Sequence, residues 1–94
     1  MPAAIARHIL VASQQAALDL KKQIDAGGDF ASLAKSHSTC PSGRDGGNLG
    51  RFSKGDMVPE FDAAVFGTLP VGHVSEPIKT QFGYHLIKVE KRFN

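Results

Sequence analysis

Residues 40–61 read CPSGRDGGNLGRFSKGDMVPEF, and the architecture turns on them. The stretch opens on the chain's only cysteine, Cys40, and holds five of its ten glycines. Four of these, Gly43, Gly46, Gly47 and Gly50, are crowded together. Each glycine inside a helix costs about 1 kcal/mol relative to alanine, which argues against a regular helix here. Leu49, Phe52, Met57 and Phe61 follow at spacings too irregular for one helix face. A loop that turns tightly and then offers separated apolar side chains suits the wall of a pocket. Taken alone, the stretch reads better as a long surface loop tethered to the core by Phe52 and Phe61. Only residues elsewhere in the chain lift it above that.

Upstream, residues 6–11 predict a strand with Ile9 and Val11 on one face and His8 and Leu10 on the other. Apolar residues on both faces make it central, which buries His8. By itself a lone buried histidine is best read as a core residue satisfied by hydrogen bonds. Ser13 is placed to cap a helix over residues 14–26, with Ala16, Ala17, Leu20 and Ile24 as its apolar stripe. Gly27 and Gly28 stop it. Asp29 caps a second helix in which Phe30, Leu33, Ala34 and His37 share a face, so His37 is expected in the core. Pro41 prevents that helix from continuing past Cys40.

Downstream, residues 49–53 predict a short strand within the loop, and Pro59 suits the first turn of a helix over residues 59–66. Residues 74–80 predict a strand that Pro77 confines to a sheet edge. Phe82 and Gly83 form a tight turn, and residues 84–91 make the last strand. There Leu86, Ile87 and Val89 are buried and His85 shares a face with Ile87 and Val89. The order is strand, helix, helix, short strand, helix, strand, strand, an α+β domain with helices around a small antiparallel sheet.

Composition bounds the rest. Ninety-four residues make one domain, residues 1–94, able to bury a core of its own. A net charge of +2, with basic residues clustered only at Lys88, Lys91 and Arg92, gives no case for nucleic acid. No apolar run approaches the roughly 20 residues of a membrane span. One cysteine makes no internal disulfide, and a reducing, cytoplasmic setting is the default expectation. The same residues also fit a domain cut from a longer exported protein.

Four stretches then converge: "RHILV" at residues 7–11, "FASLAKSHSTCPSG" at 30–43, "GGNLGRFSKGDMVPEF" at 46–61 and "VSEPIKTQFGYHLIKV" at 74–89. In this order and spacing they resemble the parvulins, a family of peptidyl-prolyl cis/trans isomerases, over essentially the whole chain. The resemblance implies a parvulin-like fold of the FKBP-like superfold, a four-stranded antiparallel sheet surrounded by helices. His8 and His85 match the family's paired histidines, Cys40 a position shared by Cys and Asp, and Thr80 a hydroxyl in the histidine network. Leu49, Met57 and Phe61 match the proline pocket, and Phe82 a variable position on its rim. Val58 departs from the Gln of some members, which removes a side-chain donor. No cofactor or metal is implied. The expected partners are unfolded or flexible protein segments containing X-Pro, met by a monomer.

The chemistry is consistent with such a pocket. Rotation about X-Pro faces a barrier near 20 kcal/mol, set by amide resonance. A dry apolar pocket favours the twisted, less charge-separated amide, and each 1.36 kcal/mol of that preference is about tenfold in rate. Cys40 has two candidate roles: nucleophile at the carbonyl, or partial negative charge opposing resonance. The second is preferred, since Asp serves at the same family position. A Cys–His hydrolase and a zinc site are weaker alternatives, because no oxyanion motif and no zinc spacing are visible. A non-catalytic peptide-binding holdase is the non-enzyme alternative.

Overall fold

The computed structural model describes residues 2–67 and 69–93. In chain order these form β1 (Ala3–Val11), α1 (Gln14–Asp25), α2 (Phe30–His37), a 3-10 turn (Pro41–Asp45), β2 (Asn48–Ser53), α3 (Pro59–Val65), β3 (Ile78–Thr80) and β4 (Gly83–Phe93). The sheet runs β2-β1-β4-β3, with every neighbouring pair antiparallel. The α+β architecture expected from the sequence is therefore the one observed.

The alternation of β1 divides the core in two. Ala4 and Ala6 join Phe52, Phe61, Val65, Ile87 and Val89 on the face covered by α3. Ile9 and Val11 join Ala17, Leu20, Phe30, Ala34 and Leu86 on the face covered by α1 and α2. Both longer helices start where their caps direct. Ser13 accepts from the Ala16 N–H and Asp29 from the Ser32 N–H, satisfying donors that a first helical turn leaves unpaired. The third helix spans only residues 59–65, so it covers one half of its sheet face. The other half, with His8, Leu10 and His85, is left for a cavity.

Both neighbours of β1 carry an extra residue at the level of Ala6. On β4, Ile5 pairs with Lys91 and Ala6 with Val89, so Glu90 is passed over. On β2, Ile5 pairs with Arg51 and Arg7 with Asn48, so two residues span the place of one. Such bulges bend a strand and re-aim its side chains. Gly47 then brings the loop against β1: the His8 N–H donates to its carbonyl at 3.0 Å. With φ at +81° and an added Cβ only 2.3 Å from the His8 carbonyl oxygen, the position admits glycine alone.

Four sequence expectations change. His37 is exposed rather than in the core stripe, because Ala34 is the last α2 residue buried against the sheet. The 3-10 turn at Pro41–Asp45 was not expected; Pro41 ends α2 but opens this turn. The segment over residues 49–53 is more than a loop strand: it is an edge of the main sheet. The strand expected over residues 74–80 reduces to Ile78–Thr80 plus an isolated bridge from Val74 to Lys88. Between them Pro77 has no N–H for the ladder, and Ser75 holds the segment to β4 instead. Its N–H donates to the Ile87 carbonyl at 2.8 Å, and its hydroxyl accepts from the Ile87 N–H at 3.0 Å.

Candidate active site

His8 pairs with Ile87 and Leu10 with His85 in the β1–β4 ladder, which sets the two histidines diagonally on one face. Their rings lie nearly parallel, 17° apart, with Nδ1 facing Nδ1 at 3.0 Å. The Phe61 ring stands edge-on to both, with centroids at 5.7 and 5.8 Å. The outer nitrogens are also engaged: His85 Nε2 with Thr80 Oγ1 at 2.7 Å, and His8 Nε2 with Ser42 Oγ at 3.0 Å. Ser42 in turn lies 3.3 Å from Cys40 Sγ.

Burial lowers the pKa of His8, and the neighbouring His85 lowers it further, from 6.5 to about 4. Burial also lowers His85, only partly opposed by Glu60. Both rings are neutral at neutral pH, so each has one donor and one acceptor nitrogen. Hydrogen-bond counting assigns them. The Phe82 N–H donates to Thr80 Oγ1 at 3.2 Å. Thr80 is buried, and among the described residues the acceptor for its own proton is His85 Nε2. The His85 proton therefore sits on Nδ1 and is donated to His8 Nδ1. The His8 proton sits on Nε2 and is donated to Ser42 Oγ, whose hydroxyl donates to Cys40 Sγ. Reversing the chain would strand the buried Thr80 proton, at a cost of about 1–3 kcal/mol.

Above the histidines is a cavity of about 410 Å³ lined by His8, Leu10, Thr39, Cys40, Pro41, Leu49, Met57, Val58, Phe61, Phe82 and His85. A volume of this size holds a small ligand or a residue-sized part of a peptide. Of the residues singled out from sequence, His8, Cys40, Leu49, Met57, Phe61, Phe82 and His85 all line it, and Thr80 lies behind His85. Phe82 forms an open rim, 62% exposed. Sequence reasoning missed Ser42. The available signal was Pro41, which starts a tight turn and so brings Ser42 back beside Cys40. It also missed Leu10 and Thr39, whose backbones are tied by a 2.8 Å bond from the Thr39 N–H to the Leu10 carbonyl.

Residues 7–91 match the family model for the rotamase, PPIC-type PPIase domain. The foldase protein PrsA of Exiguobacterium sibiricum is 53% identical over 88 residues, covering 93% of this chain and 29% of the relative. The crystal structure of the peptidylprolyl isomerase PrsA from Bacillus anthracis superposes with a TM-score of 0.95 at 39% identity, covering 99% of this chain and 43% of that one. The solution structure of NmPin, the parvulin of Nitrosopumilus maritimus, gives a TM-score of 0.84 at 46% identity, covering 95% of this chain and 96% of that one. The chain thus spans less than a third of the foldase relative's length but nearly all of a single-domain parvulin. It belongs to the parvulins, the PPIC-type peptidyl-prolyl cis/trans isomerases.

Proposed function

We propose that this domain carries out its peptidyl-prolyl cis/trans isomerisation without a covalent intermediate, on flexible protein segments whose proline ring enters the apolar cavity. Leu49, Met57 and Phe61 form the wall for the ring. Cys40, at the mouth, sets a negative partial charge near the substrate carbonyl and opposes amide resonance. The observation that supports this reading is the direction of the hydrogen-bond chain. It ends with Ser42 donating to Cys40 Sγ, which stabilises negative charge on sulfur. His8 presents a proton, not a lone pair, on the nitrogen facing Ser42. It is therefore no base for the thiol, and a nucleophile needs one. The cytoplasmic setting expected from the sequence gains no support from the relatives, and no step depends on it.

Replacing Cys40 tests the reading. Cys40→Asp restores a negative charge and is expected to stay within about tenfold of wild-type kcat/KM, whereas Cys40→Ala falls further. A covalent route gives near-complete loss in both. Mass spectrometry that finds a peptide joined to Cys40 during turnover would overturn the proposal.

The site also favours an apolar residue before proline. None of the cavity's lining residues is Lys or Arg, and Phe82 adds an exposed apolar rim. Recognition of a phosphate dianion relies on basic side chains, bidentate Arg above all. Arg51 is held elsewhere, its guanidinium 4.4 Å above the Phe93 ring. A Leu-Pro peptide is therefore expected to be turned over faster than a phosphoSer-Pro peptide of the same length. The reverse order in kcat/KM would reveal an anion site, with Arg44 of the glycine-rich loop as the first suspect.

A further inference from the structure

Arg7 precedes His8 in β1 and so points to the opposite face of the sheet. Its guanidinium reaches the end of the 3-10 turn. Nη1 donates to the Gly46 carbonyl at 3.1 Å and lies 3.4 Å from that of Asp45, while Nε donates to Glu90 at 2.7 Å. The last carbonyls of a helical turn have no partner within it, and Arg7 supplies one. Glu90 is the residue that the β1–β4 ladder passes over, so the bulge aims it at Arg7. The fit is close: a Cβ on Gly46 would lie 2.7 Å from Arg7 Nη1 and 2.8 Å from the Ala31 side chain.

We propose that Arg7, aimed by Glu90, is a positioning residue: it clamps the turn carrying Cys40 and Ser42 so that Ser42 stays within reach of His8. The effect on turnover rests on the function proposed above; the clamp itself does not. Within the turn, the N–H groups of Gly43, Gly46 and Gly47 donate to the carbonyls of Cys40, Gly43 and Ser42. Besides the His8–Ser42 side-chain bond and the Thr39–Leu10 backbone bond just before it, the turn is tied to the sheet by Arg7 through its side chain and by His8 through its backbone N–H. Two adjacent residues of one strand thus hold the turn from both sides. One of them is the histidine that the turn must meet. The planar guanidinium serves carboxylate and carbonyl from separate N–H groups, which an ammonium does less well. Arg7 does not line the cavity, so it acts through the turn and not on substrate.

Arg7→Met, Arg7→Lys and Glu90→Gln test the clamp by amide hydrogen exchange, alkylation of Cys40 with iodoacetamide, and separate kcat and KM. In Arg7→Met the amides of Gly43, Gly46 and Gly47 are expected to exchange on the order of tenfold faster relative to those of Ile9 and Leu86. Cys40 alkylation at fixed pH rises several-fold as the turn opens, and kcat drops on the order of tenfold with KM nearly unchanged. Arg7→Lys recovers part of each loss, and Glu90→Gln shows the same pattern at smaller size. Turn and core amides accelerating equally, or wild-type exchange and alkylation in Arg7→Met, would overturn the clamp. If Arg7→Met does not fold, Glu90→Gln decides by the same local-against-core comparison. Exchange and alkylation need no turnover, so an inactive wild-type domain refutes the isomerase reading and leaves the clamp to these two measurements.

Discussion

Phe61→Ala is expected to lose activity and about 3–5 kcal/mol of stability together, whereas Met57→Ala loses activity alone. The family resemblance places both in the wall of the proline pocket, where truncation would leave the fold standing if neither also fills the core. The structure separates them. Phe61 is 3% exposed, packs with Val65, Ile87 and Val89, and meets the Phe52 ring edge-on at 6.0 Å. It also braces both histidines, so its loss opens a cavity in the core and loosens the hydrogen-bond chain together. Met57 is half-buried at the edge of that cluster, and its side chain faces the pocket. Its truncation removes apolar wall worth about 1–3 kcal/mol, roughly fivefold to 150-fold in kcat/KM. Urea denaturation beside a proline-peptide assay checks both. Unchanged kcat/KM in folded Met57→Ala would remove this residue from the proline pocket.

Stability is expected to fall by about 3 kcal/mol as the pH is lowered from 6.5 towards 4, through His8. The sign follows from the depressed pKa, about 4 in the folded chain against 6.5 when unfolded. Above 6.5 the ring is neutral in both states and contributes no slope. Between the two values the unfolded chain binds a proton that the native site refuses, so unfolding gains. Below about 4 both states are protonated and the slope ends. His85, also depressed, adds to the loss in the same direction. Denaturation curves from pH 7.5 to 4.5 measure the slope, and His8→Asn should remove most of it. An equal slope in wild type and His8→Asn would mean that burial and His85 do not depress His8 and that it titrates normally.

Much of this domain is legible locally. Ser13 and Asp29 cap the helices they precede because capping needs only a side chain and an N–H a few residues on. Strand alternation set His8 and His85 on inward faces, and the family resemblance paired them. What stayed hidden depends on distant parts of the chain. His37 keeps the helical period of a core residue, yet it lies exposed one turn beyond Ala34, the last α2 residue buried. Ser42 gains its role only when the turn after Pro41 meets β1. Arg7 and Glu90 are 83 positions apart. Their meeting depends on a bulge, and a bulge leaves no pattern in a strand of mixed residues. The direction of the proton chain is likewise a property of the assembled site, since it turns on His85 Nε2 being, among the described residues, the acceptor for the buried Thr80 proton.

The ends of β1 and β4, the first and last strands and the central pair of the sheet, leave one more consequence. Ala3 at the start of β1 lies opposite Phe93 at the end of β4. Directly opposed residues in antiparallel strands are only about 5 Å apart. A polypeptide entering here and leaving there is barely spread, so a host protein can accept the whole unit in a surface loop, as a bead on its own stalk. Both histidine strands then serve as the stalk's continuation into the bead. Force applied through the stalk is expected to open the β1–β4 ladder first at the Ala3–Phe93 end, the end farthest from His8 and His85.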